Sequence, residues 1–348
     1  MIWLTLRQFR VEALVAVAVL GVVAIVLALT GLHLADLYDT SGITTCHAHG
    51  DCPAVTGDFL NRVNASLTDH LPLLFGTALV AIPAVIGMFW GVPPITRELN
   101  ARTHRLTLSK SVSRTRWLAI KLSLIGLAAM VTAGLFSLMV TWSASPIDTA
   151  NMNRLLPAVF SERGIAPIGY AVFAVALGVT AGMLIRRTVP AMAVTLAVFT
   201  AVQFAMRAIR PHLIAPVHLI SAITAVSGVQ LFLPPGSSTA GTTLIPGAPG
   251  NLPGAWILST QTINAAGHIV SGVPLSATGA LSVATCGGGS QYPSHACFAE
   301  LAKRGYRQLV TYQPAGRFWA FQWYETAIFV ALALALAGFC FWWIRRPA

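Results

Sequence analysis

The sequence predicts an all-α integral membrane protein with six transmembrane helices. Three observations predict it: a shortage of charge, six apolar stretches of spanning length, and basic residues gathered in alternate connections. Of 348 residues, 55% are hydrophobic and only 9% are charged, and the mean hydropathy is +0.71. Soluble domains carry roughly 25% charged residues, so this chain has too few polar groups to cover a surface facing water. The net charge of +11 falls in short clusters between apolar stretches, the pattern of a cytoplasmic membrane face and not of a nucleic-acid surface.

The six stretches are 12–33, 72–92, 117–141, 166–185, 188–209 and 324–344, each near the ~20 residues that cross the hydrocarbon core. Together they make one transmembrane domain over 1–348. Its direction follows from lysine and arginine in the short connections. Arg97, Arg102, Arg105, Lys110, Arg114 and Arg116 face one acid, Glu98, in the connection over 93–116. Arg186 and Arg187, Arg345 and Arg346, and Arg7 and Arg10 fall on the same side when six spans are counted. The opposite side has a 34–71 loop with Asp36, Asp39, Asp51, Asp58 and Asp69 against Arg62. The basic side is therefore expected to be cytoplasmic, with both termini there. Arginine far exceeds lysine and alanine, valine and leucine dominate, as in high-GC bacterial genomes, so the expected site is a bacterial plasma membrane. Trp3, Trp90, Trp117, Trp342 and Trp343 are expected at inner interfaces; Trp142, Tyr170, Trp319, Trp323 and Tyr324 at outer ones.

Four of the five cysteines lie on the expected outer side, where thiols oxidise. The simplest of three connectivities is local, Cys46–Cys52 and Cys286–Cys297. His47, His49 and Asp51 between the first two have metal-ligand chemistry, but a small disulfide-closed loop explains them, and no metal is expected. Residues 210–323 form the longest non-spanning region, an expected extracellular cap. In it, 211–233 reads as a re-entrant or interfacial helix pair, and 234–290, rich in Gly, Ser, Thr and Pro, as extended loop.

Pro93-Pro94 ends the second span, and Pro94 suits the first turn of a new helix. A helix over 94–106 puts Ile95, Leu99 and Leu106 near one face, so it lies along the membrane surface and offers polar groups to a cytosolic partner. Around it the sequence holds Glu98, Arg102-Thr103-His104-Arg105-Leu106, Ser111-Val112-Ser113-Arg114 and Lys121. These resemble the acid, turn and third-span base of the permease subunits of type-2 ABC transporters, the type V exporter fold. The opening Trp3-Leu-Thr-Leu-Arg-Gln-Phe-Arg10 is similar to the interfacial N-terminal helix of actinobacterial members, and the stretch Tyr312 to Glu325 to the segment leading into their last span. The resemblance does not extend over 210–310.

The resemblance implies that 94–106 is a coupling helix docking on an ATPase subunit, with Arg97, Glu98, Arg102, Arg105, Arg116 and Lys121 carrying the coupling. It implies a homodimer of permeases over two ATPase copies, with the pathway between the permeases. Phe136, Met139, Phe199, Gln203 and Met206 are candidate lining residues for a hydrophobic or amphipathic cargo. The chain has no G-x-x-x-x-G-K-[ST] phosphate loop, so it needs no cofactor itself, and ATP and magnesium belong to the partner. The remaining partner is membrane lipid, with no nucleic acid. Glu12, Lys121, Gln203 and Glu325 are the few strongly polar groups in or beside spans and read as boundary groups. The alternative reading is a membrane-bound enzyme or ligand sensor that uses its extracellular loops.

Overall fold

The computed structural model describes residues 2–43, 77–100, 113–151, 154–224, 227–232, 242–249, 254–276 and 295–346, with positions 55, 58, 59, 61–63, 252, 278, 279, 281, 282, 285 and 286. The chain forms two compact units, residues 1–213 with 318–348, and residues 214–317.

The first unit is helical. It contains α1 (Ile2–Thr40), α2 (Thr77–Ile86) continuing as a π-helical segment over Gly87–Gly91, α3 (Pro93–Asn100), α4 (Arg114–Ser143), α5 (Ser145–Asn151), α6 (Pro157–Phe160), α7 (Ala166–Ile185), α8 (Thr188–Ile209) and α10 (Phe318–Arg345). Among the described residues, five helices (α1, α4, α7, α8 and α10) are long and apolar enough to cross a membrane. The expected second span over 72–92 begins outside the described residues, and 77–91 is continuous helix.

The helix ends follow local chemistry. Ser113 caps α4, its Oγ accepting from the Arg116 amide, which satisfies one of the orphan donors of a first turn. Pro167 and Pro190 sit in the first turns of α7 and α8, where a missing N–H costs nothing. Arg186 closes α7 in the left-handed region (φ 57°), and this single turn reverses the chain into α8.

The helix α7 is apolar and buried all round, the mark of a central helix. It packs on α10, α4, α8 and the π segment. Ile86, Trp90, Ile95, Leu118, Ile125, Ala129, Ala171, Val175, Val179 and Cys340 form the main core around it. Its contact with the π segment is backbone against backbone. A Cβ added at Gly178 would lie 2.4 Å from the Gly87 carbonyl oxygen, and one at Gly87 would lie 2.6 Å from that of Ala174. Small residues permit such close approach in membranes, where apolar burial does not drive helices together. By contrast α1 lies at the edge, with Leu27 packed on Phe136 and Val140 and Leu14, Val22, Ile25, Leu29 and Leu32 exposed.

The second unit corrects the all-α expectation. Its strands are β1 (Val217–Ala222), β2 (Ser227–Phe232), β3 (Thr243–Pro249), β4 (Trp256–Ile263), β5 (Ile269–Val270), β6 (Val273–Pro274) and β7 (Arg307–Gln313), with one helix, α9 (His295–Lys303). One sheet has the order β1-β7-β4-β5 and a second the order β2-β3-β6. The helix pair expected over 211–233 is therefore strand for most of its length, and the expected loop over 234–290 contains β3 to β6. Burial alternates from residue to residue along β1, and its partner β7 lies far along the chain, His218 opposite Thr311. A hydropathy window cannot register that pairing. Cys286 and Cys297 form a disulfide in a core with Leu244, Val273, Leu281, Phe298 and Leu301. Cys46 and Cys52 lie outside the described residues.

Gly178→Ala is expected to lower the unfolding midpoint in detergent, by the ~1–3 kcal/mol of an overpacked contact. Gly126→Ala, whose added methyl would meet nothing within 4 Å, leaves the midpoint unchanged or slightly raised.

Candidate functional site

The short helix α3 is fastened to the end of the helical unit where α2, α4, α7 and α8 converge. Ile95 and Thr96 are fully buried and Arg97 is exposed. The Thr96 hydroxyl contacts that of Thr188, at the start of α8, at 2.9 Å. The Lys121 ammonium, about two turns into α4, donates to the Pro94 carbonyl at 3.1 Å and lies 5.0 Å from the centroid of the Trp117 ring. Gly182 of α7 leaves room for Thr96 and for the Val92 carbonyl. So one face of α3 is bolted to three spans, and Arg97 on another face is exposed. Arg116, in the first turn of α4, is exposed. The backbone of Glu98 belongs to α3; its side chain, and all of Arg102 and Arg105, lie outside the described residues. Trp90, read as interfacial, is instead buried in the core, because the π segment turns it towards α4 and α7.

Polar groups collect at the opposite end of the unit, where α7, α8 and α10 meet the 145–165 connection. Glu325 and Arg210 are 0% and 1% exposed. The guanidinium donates to both carboxylate oxygens, Nε to Oε2 at 2.8 Å and Nη2 to Oε1 at 2.8 Å. This two-bond fork is the strongest geometry for such a pair. Tyr170 donates its hydroxyl to Glu325 Oε1, Arg210 also donates to Ser161 Oγ at 3.1 Å, and its guanidinium carbon lies 4.4 Å from the centroid of the Phe160 ring. Gln322 Oε1 accepts the Ile165 and Ala166 amides at 3.0 and 2.8 Å, supplying from α10 the cap that α7 lacks locally. Asp148 pairs with Arg163 and, at 3.1 Å, with Arg154. Glu162 beside them is 7% exposed. Burial pushes its carboxyl up from 4.5 to about 8, although Arg163 and Arg207 pull it down.

Sequence patterning did not anticipate this network. Glu325 read as a boundary group and Tyr170 as an interfacial ring, whereas Glu325 is the buried partner of Arg210 and Tyr170 is buried against Glu325. The one available signal was Arg210 itself, a cation directly at the end of an apolar span. The candidate lining residues are packed within the chain. Phe136 lies against Leu27, with Met139 beside it, Phe199 stacks on Phe173 with ring centroids 6.1 Å apart, and Gln203 and Met206 are buried on the same side of α8. His47, His49 and Asp51 fall outside the described residues.

Long apolar helices with buried charge held in pairs define an integral membrane protein of the polytopic helical class. Within that class, residues 17–210 match the family described as ABC-2 membrane transporter related. The match covers more than half of the chain, and the chain belongs to that family; it is a transmembrane transporter subunit. No curated protein and no solved structure matches it.

Arg210→Met alone strands a buried carboxylate and is expected to cost about 3–5 kcal/mol. Combining it with Glu325→Leu should cost much less than the sum of the single changes, read from unfolding midpoints in a double-mutant cycle. Simple additivity would mean the two side chains do not act as a pair.

Proposed function

We propose that the chain is the permease subunit of an ATP-driven exporter of hydrophobic or amphipathic compounds. In this reading it works as a homodimer over two copies of a separate ATPase that binds ATP and magnesium. The basic end of the helical unit faces the cytoplasm of a bacterial cell, with both chain termini, and residues 214–317 lie outside.

The observation that carries the reading is the anchored α3. A partner pushing on its exposed face moves Ile95, Thr96 and the Pro94 carbonyl, and these are tied to α8 and α4. Such a helix passes displacement to three spans at once, which is what coupling ATP-driven closure to alternating access requires. Arg97 and Glu98 would contact the ATPase, joined by Arg102, Arg105 and Arg116, and Lys121 would transmit the motion. The absence of a phosphate loop from the sequence and the family's pairing with ABC ATPases support a division of labour between chains.

The test is co-purification in nanodiscs with the ATPase encoded beside this gene, with ATPase stimulation by amphipathic compounds as readout. Arg97→Ala combined with Glu98→Ala should weaken ATPase binding and reduce stimulation by about tenfold, the scale of an ordinary coupling free energy. Lys121→Met leaves the exposed face of α3 intact, so the ATPase should still bind while stimulation falls. An ATPase that fails to associate with the wild type, or stimulation unchanged in both variants, would refute the coupling role.

A further inference from the structure

The 160–163 turn lies against the last two turns of α8, since Arg210 reaches Ser161 and Arg207 acts on Glu162. Four buried side-chain atoms on these two segments have no hydrogen-bond partner among the described residues: Glu162 Oε1, Arg163 Nε, Gln203 Nε2 and Arg207 Nε. Native proteins leave few such atoms unpaired, and a group of them needs an explanation. Glu162, Arg163 and Gln203 are each more than nine-tenths buried, so bulk water does not satisfy them. Gln203 and Arg207 stand one turn apart on the same side of α8.

The charges here favour an anion. Asp148 neutralises Arg163, and Glu325 neutralises Arg210. Arg207 makes no ion pair among the described residues; the acid it acts on is Glu162, and burial keeps that carboxyl protonated at neutral pH. Three N–H groups and one acid O–H then offer four donors and one uncompensated positive charge. Beside Arg207 on α8, Phe204 is 64% exposed and its ring centroid lies 5.7 Å from the Arg207 guanidinium carbon, an apolar surface at the end of a span.

We propose that this cluster is a binding site for the oxyanion headgroup, phosphate or carboxylate, of an amphipathic molecule whose apolar part lies along Phe204. Arg207 supplies the charge, and Arg163, Gln203 and Glu162 supply further hydrogen bonds. The site depends on the membrane reading of the helical unit but not on coupling to an ATPase, so it is tested on the permease alone.

Glu162 also gives the site a pH dependence. The charged groups around it are Arg163 on its own segment, with Asp148 of α5 and Arg154 behind, and Arg207 of α8 and Arg210 just past its end, with Glu325 of α10 behind. The protonated carboxyl can donate to an anion, and the ionised one repels it. Binding is therefore strong below pH ~8 and weakens as pH rises through that value.

The experiment places full-length permease in phosphatidylcholine nanodiscs with and without phosphatidylglycerol. It records the retained lipid by native mass spectrometry and the affinity for inorganic phosphate by titration. Retention of phosphatidylglycerol at pH 7, reduced about tenfold by Arg207→Gln and restored by Arg207→Lys, supports an amphiphile site. Phosphate binding lost in Arg207→Gln, without selective lipid retention, supports the same oxyanion chemistry from a free source. Glu162→Gln, which cannot ionise, should keep binding at pH 7 and remove the loss above pH 8. Equal retention by wild type and Arg207→Gln, or no binding of either probe, overturns the proposal and leaves the four atoms to buried water.

Discussion

The contact on which the helical unit depends is the crossing of α7 with the π segment at Gly87–Gly91. Lipid is as apolar as leucine, so two apolar helices gain little by leaving it for one another. Close packing has to supply the attraction, and that needs backbones within reach. Gly87, Gly91, Ala174 and Gly178 meet this need, with separations that leave no room for a further carbon. The π segment closes its hydrogen bonds over five residues where an α-helix uses four, and such turns concentrate at functional positions. Here it ends two residues before α3 starts, so the rotation it imposes sets the direction in which α3 leaves the span.

One helix thus serves both ends of the unit. Near its C-terminus, Gly182 accommodates Thr96 and Val92 beneath α3. Near its N-terminus, Tyr170 bonds Glu325 while Gln322 caps its first amides. An ion pair as deep as Arg210–Glu325 gives little net stability, because desolvation offsets most of its attraction. Its effect is to define one arrangement of α8 and α10 on α7. A displacement of α8 at Thr188 reaches Arg210 through a continuous helix, so the two ends are linked by rigid elements and not by a chain of loose contacts.

Hydropathy and charge made the five long apolar helices and the start of α3 legible in the sequence, because each depends on residues near one another in the chain. Pro93-Pro94, Ser113 and the Arg186-Arg187 turn each mark an end by local chemistry. The local Cys286–Cys297 bridge was legible for the same reason. What was hidden depends on distant partners. Glu325 and Arg210 are 115 positions apart, and either alone looks like a charge at a membrane boundary. The β1 strand reads as a weak apolar helix until β7 is placed beside it. The π segment has no signature beyond two glycines four apart, which an ordinary helix crossing would also use.

The arrangement of polar groups explains why the two ends do different work. At the α3 end the buried polar atoms described are paired: Thr96 with Thr188, Lys121 with the Pro94 carbonyl. A paired, rigid attachment transmits force, since no slack is taken up before the spans move. At the other end the paired core of Arg210, Glu325, Tyr170 and Gln322 is bordered by Glu162, Arg163, Gln203 and Arg207, each with an atom left open. Open donors in a low-dielectric setting bind strongly to whatever completes them, because the cost of desolvating them has already been met in folding. Rigid pairing beside unfilled donors is the combination that lets a site hold an anion without giving way around it.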